Sequence, residues 1–237
     1  MEELLDTSEV FMSPYNRTYT LYLRGEAIGT SQHELVYMPQ RSGMFRHTVT
    51  EHYAYEFRPD EIHQVEHNHS ILSNHQMVLT QFHERTTITD QNHALNQKIQ
   101  RVGYIDHKSL FLTIADDQVK AKEREIYLYL KPYSSLIIEY YLREILSPEN
   151  TRERIRFFNC GSLAYEEEIL QYRGQEKTQI HDQQVLLHHI TARNRHKHYT
   201  YDYYVDDLKV IWKVCREIPM TGNVEMHLAE TVDSESE

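Results

Sequence analysis

Cysteine, glycine and proline are all scarce in this chain of 237 residues. There are only two cysteines, Cys160 and Cys215, with no CxxC pair, so nothing points to a zinc ribbon or a disulfide scaffold. Two isolated cysteines read as buried thiols. Seven glycines and six prolines exclude collagen-like and Pro/Gly-rich disordered classes. No window approaches the ~18 consecutive apolar residues that a membrane-spanning helix requires. The opening stretch MEELLDTSEVFM is acidic and has no secretory leader pattern, which predicts a cytoplasmic protein as the sequence stands, or an envelope protein if a leader was removed. Positive charge is short as well. The 25 Lys+Arg against 36 Asp+Glu leave a net charge of −11, which argues against general affinity for nucleic acid. The one basic cluster, Arg193-Asn194-Arg195-His196-Lys197-His198, reads as a solvated hairpin tip.

What the chain has in excess is tyrosine, with 18, and histidine, with 16. Much of that excess sits in period-2 alternation. Tyr19, Leu21 and Leu23 share one parity, as do Phe45, Val49, Tyr53, Tyr55 and Phe57, interrupted by His47 and Glu51. Ile126, Leu128 and Leu130 alternate with Tyr127 and Tyr129. Tyr199, Tyr201, Tyr203 and Val205 alternate with Thr200, Asp202 and Tyr204, and Leu208, Val210, Trp212 and Val214 follow in the same manner. Successive strand side chains point to opposite faces, so each run predicts a half-buried antiparallel strand. Turn signals at Arg24-Gly25, Ser42-Gly43, Asp116-Asp117, Arg173-Gly174-Gln175, Asp206-Asp207 and Thr221-Gly222-Asn223 separate the runs as hairpins.

One segment has helical periodicity. Ser134 to Leu146 is closed by Ser147-Pro148, and Ile138, Tyr141, Leu142 and Ile145 fall at i, i+3, i+4 and i+7. The predicted architecture is therefore mostly all-β. A long antiparallel meander of roughly a dozen strands or more forms a curved sheet or unclosed barrel, with one short helix (about 134–146) packed against it. Residues 1–14 read as an N-terminal arm, 15–228 as a single β domain and 229–237 as an acidic disordered tail.

Catalytic patterns are sparse. There is no GxSxG elbow and no Walker loop, and Asn159-Cys160-Gly161 reads as a turn. His67-Asn68-His69 and His196-Lys197-His198 each place two imidazoles on one strand face, but no spacing supplies a third ligand, so no metal and no cofactor is expected. His188 and His189 would point to opposite faces. Glu166-Glu167-Glu168 reads as a solvated strand edge. The tyrosines are more suggestive, because a ring with a polar tip suits a concave sheet face that holds an apolar ligand. Tyr199, Tyr201, Tyr203, Trp212 and Tyr141 are the candidate ligand-binding residues. The competing reading is cross-strand aromatic packing.

Two stretches resemble a known pattern. Tyr19-Thr20-Leu21-Tyr22-Leu23-Arg24-Gly25-Glu26-Ala27-Ile28-Gly29 resembles the first hairpin of a bacterial all-β domain family of unknown function. The run from His198 to Trp212 resembles that family's last hairpin, an aromatic strand turning through an acidic pair into an aliphatic one. The family is similar to lipoprotein carriers of the LolA type, which implies an antiparallel sheet curled into an unclosed barrel around helix. It transfers no functional residue. The resulting expectation is a non-catalytic protein that binds an apolar small molecule or lipid. The alternatives are an assembly protein pairing through its sheet edges, or a cofactor-free enzyme using histidines and carboxylates in the same cavity.

Overall fold

In the computed structural model of the protein, the described residues are 12–41, 43–58, 61–92, 94–117, 119–144, 152–194, 197, 199–218 and 222–232. Fourteen strands follow in order: β1 (Tyr15–Leu23), β2 (Glu26–Met38), β3 (Met44–Arg58), β4 (Glu61–Ser73), β5 (Leu79–Asp90), β6 (Leu95–Asp106), β7 (Ser109–Asp116), β8 (Val119–Tyr127), β9 (Arg152–Asn159), β10 (Ala164–Ile180), β11 (Gln183–Asn194), β12 (Thr200–Val205), β13 (Ile211–Ile218) and β14 (Gly222–Val232). The helix α1 (Leu136–Glu144) lies between β8 and β9. All fourteen strands form one antiparallel sheet in the order β8-β7-β6-β5-β4-β3-β2-β1-β14-β13-β12-β11-β10-β9. The unclosed curved sheet with one short helix is thus the fold that the alternation predicted.

Alternation decides which face each residue takes. On β1, Tyr15, Arg17, Tyr19 and Leu21 are buried and lie opposite Leu35, His33, Ser31 and Gly29 of β2. This is the inner face. It carries a core built from Met12, Tyr15, Leu35, Phe45, Ile155, Phe157, Leu170, Ile190, Ala192, Tyr203, Val205 and Ile211, into which α1 inserts Leu136, Ile137, Tyr141 and Leu142. Met12, within the expected N-terminal arm, belongs to this core. A second core of Ile71, Leu79, Phe82, Leu110, Leu112, Leu128, Phe158 and Cys160 joins β4, β5 and β7 to the end of β9.

The two sheet ends, β8 and β9, do not pair with each other. The segment after β8 bridges them instead. Leu79 N donates to Pro132 O at 2.8 Å and Ser134 N to Met77 O at 2.8 Å, while Phe158 N donates to Tyr133 O at 2.8 Å from the other side. The Tyr165 hydroxyl donates to Leu130 O, and Arg101 Nη1 reaches Gly161 O at 3.2 Å.

Some expectations are corrected. Arg173-Gly174-Gln175 is no turn: Gly174, at φ +109°, makes a bulge within the 17 residues of β10. Glycine takes that φ without the steric cost a Cβ would bring. Leu208 and Val210 belong to the β12–β13 turn rather than a strand, and Leu208 is exposed. Ala229 to Val232, expected in the acidic tail, belong to β14; residues 233–237 lie outside the described residues, as do Arg195, His196 and His198 of the basic cluster. Both cysteines are free thiols, Cys160 buried and Cys215 half-buried, and burial pushes both pKa values up, that of Cys215 to about 12.

Candidate functional site

The inner face of β10 to β13 brings three of the predicted tyrosines together. Tyr201 lies opposite Ala192 and Arg216, and Tyr203 opposite Ile190 and Val214. Ring centroids are 5.1 Å apart for Tyr199–Tyr201 and 6.0 Å for Tyr201–Tyr203. The Arg216 guanidinium lies over the Tyr199 ring at 4.4 Å and the Tyr201 ring at 5.3 Å, a cation–π arrangement that substitutes for a carboxylate partner.

The three glutamates predicted as a solvated edge are buried, and that expectation is overturned. β10 is an interior strand, and each glutamate has its own means of tolerating burial. Glu166 accepts from Asn194 Nδ2 at 3.0 Å, the Tyr199 hydroxyl at 2.9 Å, Ser162 Oγ at 3.0 Å and Lys197 Nζ. Burial pushes its pKa up, but Lys197, Tyr199 and Ser162 outweigh this and hold it below the usual value. Glu167, on the opposite face, takes Arg154 Nη2 at 2.7 Å and Arg156 Nη2 at 3.3 Å. Glu168 is 1% exposed and its Oε2 has no hydrogen-bond partner; burial, then the charge of Glu166, raises its pKa to about 7. Arg216 Nε, on the same face, is buried without a partner as well.

The other candidates are scattered. Tyr203 and Tyr141 belong to the core around α1. Trp212 is the extra residue of a β-bulge, since Tyr204 pairs with Lys213 and Val205 with Ile211. Its indole N–H donates to Asp206 Oδ2 at 2.8 Å in the β12–β13 turn. It is not part of the tyrosine ladder.

A second polar stripe, which sequence reading treated as interruptions, crosses β1 to β4 on the same inner face. The Tyr15 hydroxyl donates to Glu139 Oε1 at 2.6 Å and lies 3.4 Å from His47 Nε2. His47 and His33 ring centroids are 5.7 Å apart, and His33 Nε2 meets Ser31 Oγ at 3.0 Å. Burial lowers the pKa values of His33, His47 and His69, those of His33 and His69 to about 3, so these three are neutral near pH 7. Parity with Tyr15, Tyr19 and Tyr53 was the signal available. His67 and His69 do share a face, with ring centroids 6.3 Å apart, but His67 Nδ1 is engaged by Thr86 Oγ1 at 2.9 Å. Among the described residues no three His, Cys, Asp or Glu are arranged to hold a metal.

Among the described residues, two open grooves lie near these faces. One of about 470 Å³ lies on the outer face of β2 to β5, lined by Ile28, His52, Gln64, Glu66 and Thr87. The other, of about 230 Å³, lies at the seam between Tyr129, Leu130, Arg156, Tyr165, Glu166 and Glu167, and so reaches the polar cluster through Glu166. The larger groove is remote from the Tyr199–Tyr201–Tyr203 ladder; the smaller one meets it through Glu166, which accepts from the Tyr199 hydroxyl.

No family model matches the chain, and no curated protein sequence matches it. Among solved structures it is similar to a β-barrel-like protein of a domain of unknown function, DUF1849, from Brucella abortus. The TM-score is 0.66 at 8% identity, over 95% of this chain and 100% of that one. This likeness is one of fold, and it bears out the all-β, barrel-like part of the sequence resemblance. Among the described residues no helix is long and apolar enough to cross a membrane.

Proposed function

We propose that the protein is a non-catalytic binding protein for a small molecule with an apolar body and one hydrogen-bonding head. Its site is the Tyr199–Tyr201–Arg216–Glu168 end of the inner face. The supporting observation is a pair of orphaned polar atoms on that face, Glu168 Oε2 and Arg216 Nε. A buried polar atom without a partner costs about 1–3 kcal/mol, and a ligand head that accepts from the Arg216 guanidinium and from the Glu168 carboxyl, which keeps its proton below about pH 7, removes that cost. Two tyrosine rings flank the position and provide apolar area with polar tips. The helix-filled core limits the apolar body to the ladder's outer end, so Tyr203 and Tyr141 form the floor of the site rather than its contact surface.

Native mass spectrometry of the gently purified protein, with denaturing extraction, tests for a resident molecule. Dodecanoate and dodecanol serve as probes. The acid is expected to raise the melting temperature more than the alcohol, because a ligand bound only to the native state adds to apparent stability. Arg216→Met is expected to remove the difference. An equal or zero shift for both probes would sink the reading. A second reading, a cofactor-free enzyme, draws on Glu168 alone, a carboxyl with a pKa near neutrality. Recovery of a chemically altered probe would favour it.

A further inference from the structure

The two unpaired sheet edges carry opposite charge patterns, and this observation is independent of the ligand site. On β8, Ile126 lies opposite Leu110, so Lys122, Arg124 and Ile126 face inward and Glu123 and Glu125 outward. On β9, Ile155 lies opposite Glu168, so Glu153, Ile155 and Phe157 face inward and Arg152, Arg154 and Arg156 outward. The outer face of β9 therefore has three arginines beside one carboxylate, Glu167, in a chain of net charge −11. Ala121 to Glu125 are exposed at five consecutive positions, on both faces of β8.

We propose that β8 of one copy of this chain pairs antiparallel with β9 of a second copy. Several registers keep inner face with inner face; in the one that sets the most opposite charges together, Glu125 lies opposite Arg152, Arg124 opposite Glu153 and Glu123 opposite Arg154. All three cross-strand pairs have opposite charges. Homotypic pairing is disfavoured, because β8 on β8 sets Glu123 against Glu125, and β9 on β9 sets arginine against arginine. The chain's own β9 is out of step with this register, in which Phe158 would face residue 119. Phe158 instead lies against Tyr133, and Tyr165 against Leu130, beyond the end of β8. A two-fold dimer, each β8 on the partner's β9, satisfies both edges of both copies at once.

The test is size-exclusion chromatography with light scattering on the full chain, at micromolar concentration and low salt. The wild type is expected at twice 28.4 kDa. Glu125→Lys and Arg152→Glu, both at exposed positions, should each weaken the dimer about tenfold, and the two reversals in one chain should restore it. A monomeric wild type overturns the proposal, as do single reversals without effect or a double reversal that fails to recover. Hydrogen exchange of the wild type is the second readout. Protection of residues 121–125 should fall on dilution; protection independent of dilution would mean closure within one chain and overturn the pairing.

Discussion

Tyr15 on β1 donates a 2.6 Å hydrogen bond to Glu139 on α1, 124 residues away, and so ties the helix to the middle of the sheet. The other carboxylate oxygen of Glu139 is buried without a partner. Tyr15→Phe therefore leaves the half-buried carboxyl group of Glu139 with less hydrogen bonding than it has now. The expected loss is about 1–3 kcal/mol in urea denaturation, and Glu139→Gln should lose less, since an amide oxygen still accepts from the Tyr15 hydroxyl.

His69 Nε2 is buried with no partner, and burial takes the group's pKa from 6.5 to about 3. His33 has the same shift, and His47 moves in the same direction. An unfolded chain takes up protons on these groups below pH 6.5, while in the folded chain His33 and His69 resist until about pH 3. Stability is thus expected to fall as pH drops through that window. His69→Phe should make the acid limb shallower and should be neutral or stabilising near pH 7, as measured by denaturation midpoints between pH 4 and 8.

Glu168 acts on the other side. Its folded pKa of about 7 exceeds the ordinary 4.5, so its contribution is complete below pH 4.5 and is lost as pH rises to about 7. A shift of this size corresponds to roughly 3 kcal/mol between those limits. Glu168→Gln should therefore be more stable than the wild type at pH 8 and lose that advantage at pH 4.5. Equal differences at both pH values would show that the carboxyl is not protonated in the fold.

Two glycines are sites of close approach. A Cβ at Gly29 would lie 2.0 Å from His52 O and 2.6 Å from Tyr53 Cα, whereas one at Gly103 would meet the Phe82 ring at 2.2 Å. A ring can shift where backbone cannot, so Gly103→Ala should cost about 1–3 kcal/mol and Gly29→Ala more. Thermal melts of both variants decide the order.

The strand faces were legible in the sequence wherever alternation was clean. The tyrosines at 199, 201 and 203 share a face as their parity required, His188 and His189 pair with residues on opposite faces, and the helix was recognisable from its apolar stripe. The three consecutive glutamates misled because composition cannot reveal that Lys197 and Tyr199, distant in sequence from Glu166, converge on it, or that Glu168 is held near its neutral form. Trp212 fitted its alternating run, and a bulge of one residue changed its position. The alternation from Ile126 to Leu130 ran on past the end of β8 at Tyr127 into the bridge, whose hydrogen bonds go to three separate parts of the sheet.

Each neighbour in the sheet is also the next strand in the chain, with one exception: β1 lies beside β14. Seven hairpin-joined strands on one side and five on the other, flanking that pair, can form from local contacts, and such contacts close quickly. The junction between them waits for β14 to be made, and β1 has an open side until then. A chain cut short before β14 would lose a central strand rather than an edge, leaving the two halves of the sheet with no backbone connection at their shared boundary.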